Sequence, residues 1–142
     1  MKVDWKNQSG ASAVEFAIVL PILVLLVFGI IEFSVALYDK AMMTNASREG
    51  ARAGIVFRVS SVTDEEITEE ITNVVNSYLG NNLITFGGPT TANTTVTRNG
   101  SKPGDELKVT VNYTYTFLLI PNFITSLSGG MNMMAETVMR ME

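Results

Sequence analysis

The sequence predicts an α+β protein in which a long N-terminal transmembrane helix continues outside the membrane and carries a small domain. Three observations predict this fold. An apolar stretch near the N-terminus is long enough to cross a bilayer, a capping-box motif begins a second helix, and thirteen later residues alternate between apolar and polar side chains. The expected order is a long helix, a shorter helix and a small antiparallel sheet of about three or four strands.

The apolar stretch begins at Phe16 and has no charged side chain before Glu32. A helix over 14–38 would be about 37 Å long, and the hydrocarbon core of a bilayer is about 30 Å thick. We therefore expect a membrane span over about 14–38, in which Pro21 is tolerated. A cleaved signal peptide is the alternative interpretation, but its apolar region would be only about 7–15 residues long.

Flanking charges predict the orientation of this helix. Two lysines precede it in the first ten residues, which weakly favours a cytoplasmic N-terminus under the positive-inside rule. The predicted organisation is a cytoplasmic leader at 1–10, a long helix at 11–57 and an extracytoplasmic α+β domain at 58–142.

Composition excludes several classes of function. The chain has no histidine and no cysteine, so it lacks the usual nucleophile–base pairs and the imidazole and thiolate metal ligands. Its formal net charge is −4 and it has no basic run, which argues against a nucleic-acid partner. We expect no enzymatic activity, no catalytic residue, no cofactor and no bound metal.

A short motif precedes the apolar stretch, with Gly10 and Ala11 followed by Glu15 and Phe16. It resembles the cleavage signal of type IV prepilins, which implies that a prepilin peptidase cuts between Gly10 and Ala11. A glycine lets an extended backbone enter a narrow active site. Glu15, of the same or a neighbouring subunit, would then pair with the new amine on Ala11. The alternative is that Glu15 is an incidental acid at the membrane interface.

The resemblance extends beyond the motif. The block GASAVEFAIVLPILVLLVFGIIEF, the segment NASREGARAG and the terminal AETVMRME are similar to the TadE-like family. Its members are pseudopilins or minor pilins of the bacterial tight-adherence (Tad) pilus, a type IV pilus system. The resemblance implies processing by a prepilin peptidase and a part in pilus assembly, adhesion and surface colonisation. It also implies a single-pass protein of the bacterial inner membrane, with the pilus or the cell surface as a further location.

The same resemblance implies a set of partners. These are the prepilin peptidase, other pilins or pseudopilins packed through the apolar helix, the inner-membrane assembly platform and the lipid bilayer. Two other interpretations compete with it. The chain could be an uncleaved bitopic protein whose outer domain is an interaction module of a secretion or pilus machine. It could also be a small membrane-bound enzyme, which the missing histidine and cysteine disfavour.

Three features of the long helix are expected to affect its packing. Pro21 removes one backbone hydrogen bond and is expected to kink the helix. Glu32 either reaches water near the outer interface or pairs with another helix. Ala46, Gly50 and Gly54 fall on one face at intervals of four, which lets another helix or the chain's own sheet approach closely. The alternative is that Gly50 or Gly54 caps the end of the helix.

The outer domain begins with a capping box, Thr63 with Glu66, which Val62 and Ile67 flank as a hydrophobic staple. Gly80 is expected to end this helix. Strands are predicted at 94–98, 107–119 and 133–141. The inward face of the last strand is ambiguous, because Met134 and Val138 compete with three apolar side chains of the opposite face, Met133, Ala135 and Met139.

Overall fold

The computed structural model describes residues 8–56, 63–85, 88–100, 102–117 and 130–141. In these residues the chain forms two helices and three strands: α1 at Gln8–Gly54, α2 at Asp64–Asn82, β1 at Asn93–Arg98, β2 at Glu106–Tyr115 and β3 at Met131–Arg140. The order confirms the predicted α+β fold, with a three-stranded sheet in the described part of the chain.

The first helix, α1, is 47 residues and therefore about 70 Å long. It begins at Gln8, inside the predicted leader, and ends at Gly54, short of the predicted end at 57. Ile55 still donates a backbone hydrogen bond to the carbonyl of Ala51 at 3.1 Å, which closes the last turn. Pro21 lies inside the helix.

The second helix, α2, has the predicted capping box. The Thr63 hydroxyl accepts a hydrogen bond from the Glu66 amide, and the Glu66 carboxylate accepts one from the Thr63 amide. The expected end at Gly80 is wrong, because the helix continues to Asn82. Leu83 caps the helix in an extended conformation, and its amide donates a hydrogen bond of 2.9 Å to the Leu79 carbonyl, so the helix ends without a glycine. The proposed staple residue Val62 lies outside the described residues.

The sheet is antiparallel, with β2 between β1 and β3. Every second side chain of β2 is buried, as the period-two pattern predicts, namely Leu107, Val109, Val111, Tyr113 and Tyr115. This strand ends at Tyr115, and the predicted extension over 118–119 lies outside the described residues.

The orientation of β3 settles the ambiguity in its sequence. Met133 and Ala135 are buried in the core, whereas Met134 and Val138 are about half exposed, at 57% and 50%. A partly buried Met139 continues the inward face. The exposed methionine and valine therefore lie on the open face of the sheet.

Both helices cover the same face of the sheet, so the fold has two layers. We call α2 together with the three strands the head. The core lies between the head and the second half of α1, and α2 contributes Ile67, Ile71, Val75 and Leu79. The first half of α1 extends beyond the head.

Candidate processing and helix-packing sites

The residues of the processing motif lie in the first turns of α1. Gly10, Ala11, Glu15 and Phe16 are all exposed, and no atom lies within 4 Å of a Cβ added to Gly10. The peptide between Gly10 and Ala11 is helical here, whereas the sequence suggested an extended backbone. A peptidase that cuts this bond has to unwind the first turn. Ala11 and Glu15 are four residues apart, so they share one helix face.

The apolar stretch after the motif is exposed throughout. Each large apolar side chain from Val14 to Ile31 is at least 40% exposed. Among the described residues, α1 is the one helix long and apolar enough to cross a membrane. An exposed patch of this size on a protein surface normally contacts lipid or another protein.

Exposure of α1 changes at Glu32. From this residue onward one face of the helix is buried at intervals of three and four, beginning with Glu32, Ala36, Asp39 and Met43. Such spacing keeps these side chains on one side of a helix. The head therefore begins to cover α1 while the helix sequence is still largely apolar.

The Glu32 carboxylate contacts the head of its own chain. Tyr115 donates a hydrogen bond of 2.6 Å to its Oε1, and both residues are buried. Burial, together with this hydrogen bond, raises the pKa of the Tyr115 phenol, so the hydroxyl keeps its proton and remains a donor. Neither sequence interpretation of Glu32, water at the interface or pairing with another helix, anticipated this contact.

A second buried acid, Asp39, lies two turns farther along α1. Its Oδ1 accepts a hydrogen bond of 3.0 Å from the Ile84 amide, just beyond the end of α2. Its Oδ2 is buried and has no hydrogen-bond partner among the described residues. Burial raises the pKa of Asp39, and the hydrogen bond from Ile84 partly opposes this.

The small residues near the end of α1 lie against the head. A Cβ added to Gly50 would lie 2.7 Å from Cγ2 of Val75, and one added to Gly54 would lie 2.6 Å from side-chain atoms of Ile71 and Leu107. Ala46 is fully buried on the same side. This face of α1 is thus occupied by α2 and the sheet of the same chain.

A hydroxyl pair joins the same face of α1 to β3, with 2.7 Å between the side-chain oxygens of Ser47 and Thr137. The sequence interpretation missed Ser47 and Asp39, and it placed Tyr115 in the core without its contact to Glu32. One signal could have identified the two helix residues. The intervals of three and four that include Ala46 and Gly50 extend back through Asp39 to Glu32.

In a comparison with known protein families, the first helix of the chain matches one family model. Residues 10–52 match the family model described as TadE-like protein. This confirms the predicted resemblance over nearly all of α1, and the match includes neither α2 nor the sheet. No curated protein is significantly similar to the chain. No solved structure matches it either.

Proposed function

We propose that this chain, with its TadE-like N-terminal helix, is a membrane-anchored minor pilin or pseudopilin that takes part in assembly of a Tad-type pilus. The observation that carries the proposal is the position of Gly10 and Glu15. They lie in the first turns of α1, just before its exposed apolar stretch, and inside the segment that matches the family model. The role is structural, and pilus-mediated adhesion and surface colonisation would follow from assembly.

Processing would consist of hydrolysis of the peptide bond between Gly10 and Ala11 by a prepilin peptidase. The product is an α-amine on Ala11, which is charged near neutral pH because its ordinary pKa is about 8. A single charge close to a bilayer core is costly. Glu15 lies one helical turn away, so its carboxylate can neutralise the amine of its own or a neighbouring subunit.

In the proposed topology the N-terminus is cytoplasmic and the head lies on the outer side of the inner membrane, with the end of the sheet beside Glu32 reaching the membrane surface. The exposed apolar half of α1 has two successive environments in this scheme. It first contacts lipid, and it then packs laterally against other pilins when the assembly platform acts on the subunit. The burial of Gly50 and Gly54 by the head leaves the part of α1 before Glu32 as the surface for this lateral packing.

The test is recovery of the chain in sheared pilus fractions from cells that also make the prepilin peptidase and the assembly platform. Glu15→Ala should reduce recovery by about ten-fold or more, because an unpaired amine at the membrane costs a few kcal/mol. Glu69→Ala, which removes an exposed acid from α2, serves as the matched control and should behave as wild type. Equal recovery of both variants would contradict the role given to Glu15. A chain that stays full length in the inner membrane would instead support an uncleaved bitopic interaction module.

A further inference from the structure

A groove separates α1 from one end of the sheet, where β2 ends and β3 begins. We call the end of the groove nearer the N-terminus of α1 its lower end and the opposite end its upper end. It has a volume of about 500 Å³, within the range of about 300–1,000 Å³ that is typical of small-molecule sites. Its walls are mainly apolar, with Phe33 and Leu37 from α1 opposite Phe117, Met131 and Met133 from the head. Lys40 lies at the upper end of the groove and Gly29 at the lower end.

The groove lies at the level of the outer membrane surface. A hydrocarbon core of about 30 Å that begins at Phe16 is crossed in about 20 residues, so it ends near Val35. Gly29 and Phe33 are then inside the acyl-chain layer. Lys40 is about 7 Å above the core, which places its ammonium among the lipid headgroups.

The end of the groove farther from the membrane centre carries a cation, Lys40. The Lys40 ammonium donates one hydrogen bond to the backbone carbonyl of Met134. An ammonium has three donors, so two remain for another acceptor as far as the described residues show. Glu32 also lines the groove, but it is eight residues and about 12 Å lower along α1, where it accepts the Tyr115 hydroxyl. The groove therefore combines an apolar lower part with a positively charged upper end.

We propose that the groove binds one anionic phospholipid of the outer leaflet, with an acyl chain between α1 and the sheet and its phosphate on Lys40. The inference rests on the membrane insertion proposed above. An anionic lipid is favoured because its net negative charge complements the Lys40 ammonium, whereas a zwitterionic lipid has no net charge. The lipid would fill the junction between helix and head while the subunit is in the membrane.

The experiment is native mass spectrometry of the full chain released from nanodiscs that contain equal amounts of phosphatidylglycerol and phosphatidylcholine. The wild type should retain one phosphatidylglycerol, preferred about five-fold over phosphatidylcholine, which corresponds to about 1 kcal/mol. Lys40→Gln should abolish this preference, whereas Lys102→Gln, which removes an exposed charge far along the head, should preserve it. A wild type that retains no lipid, or a Lys40→Gln variant that keeps the preference, would overturn the proposal.

A second variant tests the apolar part of the groove. Gly29→Leu places a side chain at its lower end, and no atom lies within 4 Å of the new Cβ, so the helix can accept it. This variant should lose the retained lipid, whereas Ile30→Leu, on an exposed neighbouring position, should keep it. Retention in both variants would contradict an acyl chain in the groove.

Two further measurements separate the possible failures. If the wild type does not float with vesicles of phosphatidylcholine and phosphatidylglycerol, the membrane anchor fails and the proposed function fails with it. If it floats but retains no lipid, only the lipid site is wrong. The chain has no cysteine, so Phe33→Cys gives a single thiol. Efficient disulfide dimers of this variant in vesicles would mean that a second copy covers the groove, which also overturns the lipid site.

Discussion

Tyr115, at the end of β2, donates a 2.6 Å hydrogen bond to Glu32 of α1. Glu32 is the first charged residue after the apolar stretch, and its side chain is buried under the sheet. The head therefore contacts α1 near the point where the helix would leave the bilayer. From there to Gly54 the helix forms part of the core of the head.

Tyr115→Phe removes this hydrogen bond while it keeps the aromatic ring in the core. A hydrogen bond contributes about 1 kcal/mol, and loss of the donor to a buried acceptor costs about 1–3 kcal/mol, so we expect the free energy of unfolding to fall by about 1–3 kcal/mol. Thermal unfolding in detergent, followed by circular dichroism, measures the change. Tyr38→Phe, at an exposed position of α1, is the matched control and should unfold as wild type.

The double variant Tyr115→Phe with Glu32→Gln separates the bond from other effects of each substitution. If the two residues stabilise the fold through their contact, the double variant should be less destabilised than the sum of the single variants. Additive losses would mean that the hydrogen bond does not couple the helix to the head.

Gly54→Ala should destabilise the protein even though alanine is the better helix former. The added Cβ lies 2.6 Å from side-chain atoms of Ile71 and Leu107, and overpacking of a core costs about 1–3 kcal/mol. Gly80→Ala is the matched control, because a Cβ there meets no atom within 4 Å. That variant should gain about 0.5–1 kcal/mol from helix propensity. If urea unfolding shows the same gain for both variants, the close packing at Gly54 is wrong.

Asp39→Asn should stabilise the protein at neutral pH by about 1 kcal/mol, because it removes a buried charge and keeps an oxygen that accepts from Ile84. The raised pKa of Asp39 means that the folded state binds the proton more tightly than the unfolded state. The contribution of Asp39 to stability therefore increases as the pH falls through its folded pKa. It is complete below the unfolded value near 3.8.

Thermal unfolding of both proteins from pH 7 to pH 4 measures this dependence. The advantage of Asp39→Asn over the wild type should shrink as the pH falls. A constant difference between the two melting temperatures would show that the Asp39 carboxyl is not desolvated in the folded protein.

The burial of α1 from Glu32 onward predicts a shorter membrane span than the apolar sequence suggests. The head covers one face of α1 from Glu32 onward, and a hydrocarbon core of about 30 Å that begins at Phe16 is crossed near Val35, so we expect the span to end there rather than at 38. Because the chain has no cysteine, single substitutions can report this boundary. In intact vesicles, a water-soluble maleimide should label Tyr38→Cys, at an exposed position, and Leu25→Cys should remain protected until detergent is added. Equal labelling of both would contradict the span.

The sequence predicted the elements well, because each has a local physical cause. The apolar stretch, the capping box at Thr63 and the alternation along β2 all depend on neighbouring residues. The end of α2 was wrong because the helix is capped at Leu83, in an extended conformation, and not by a left-handed glycine at Gly80. No simple sequence pattern marks this kind of helix end.

The contacts between α1 and the head were harder to predict, because they join residues far apart in the sequence. Glu32 and Tyr115 are separated by 83 positions. An acid at the end of an apolar stretch suggests the membrane interface or another helix as its environment. The residues around Glu32 do not indicate which strand covers it. Gly50 and Gly54 did indicate a close approach, but only the structure identifies α2 and β2 as the neighbours.

The most direct test of the proposed function is the intact mass of the chain extracted from membranes, with and without an active prepilin peptidase. The account predicts a peptidase-dependent loss of residues 1–10, so that the mature chain begins at Ala11. Gly10→Val should block this loss and leave the mass of the full chain. If the mass is that of the uncut chain in both preparations, the motif around Gly10 is not a processing site, and the protein is an uncleaved membrane anchor.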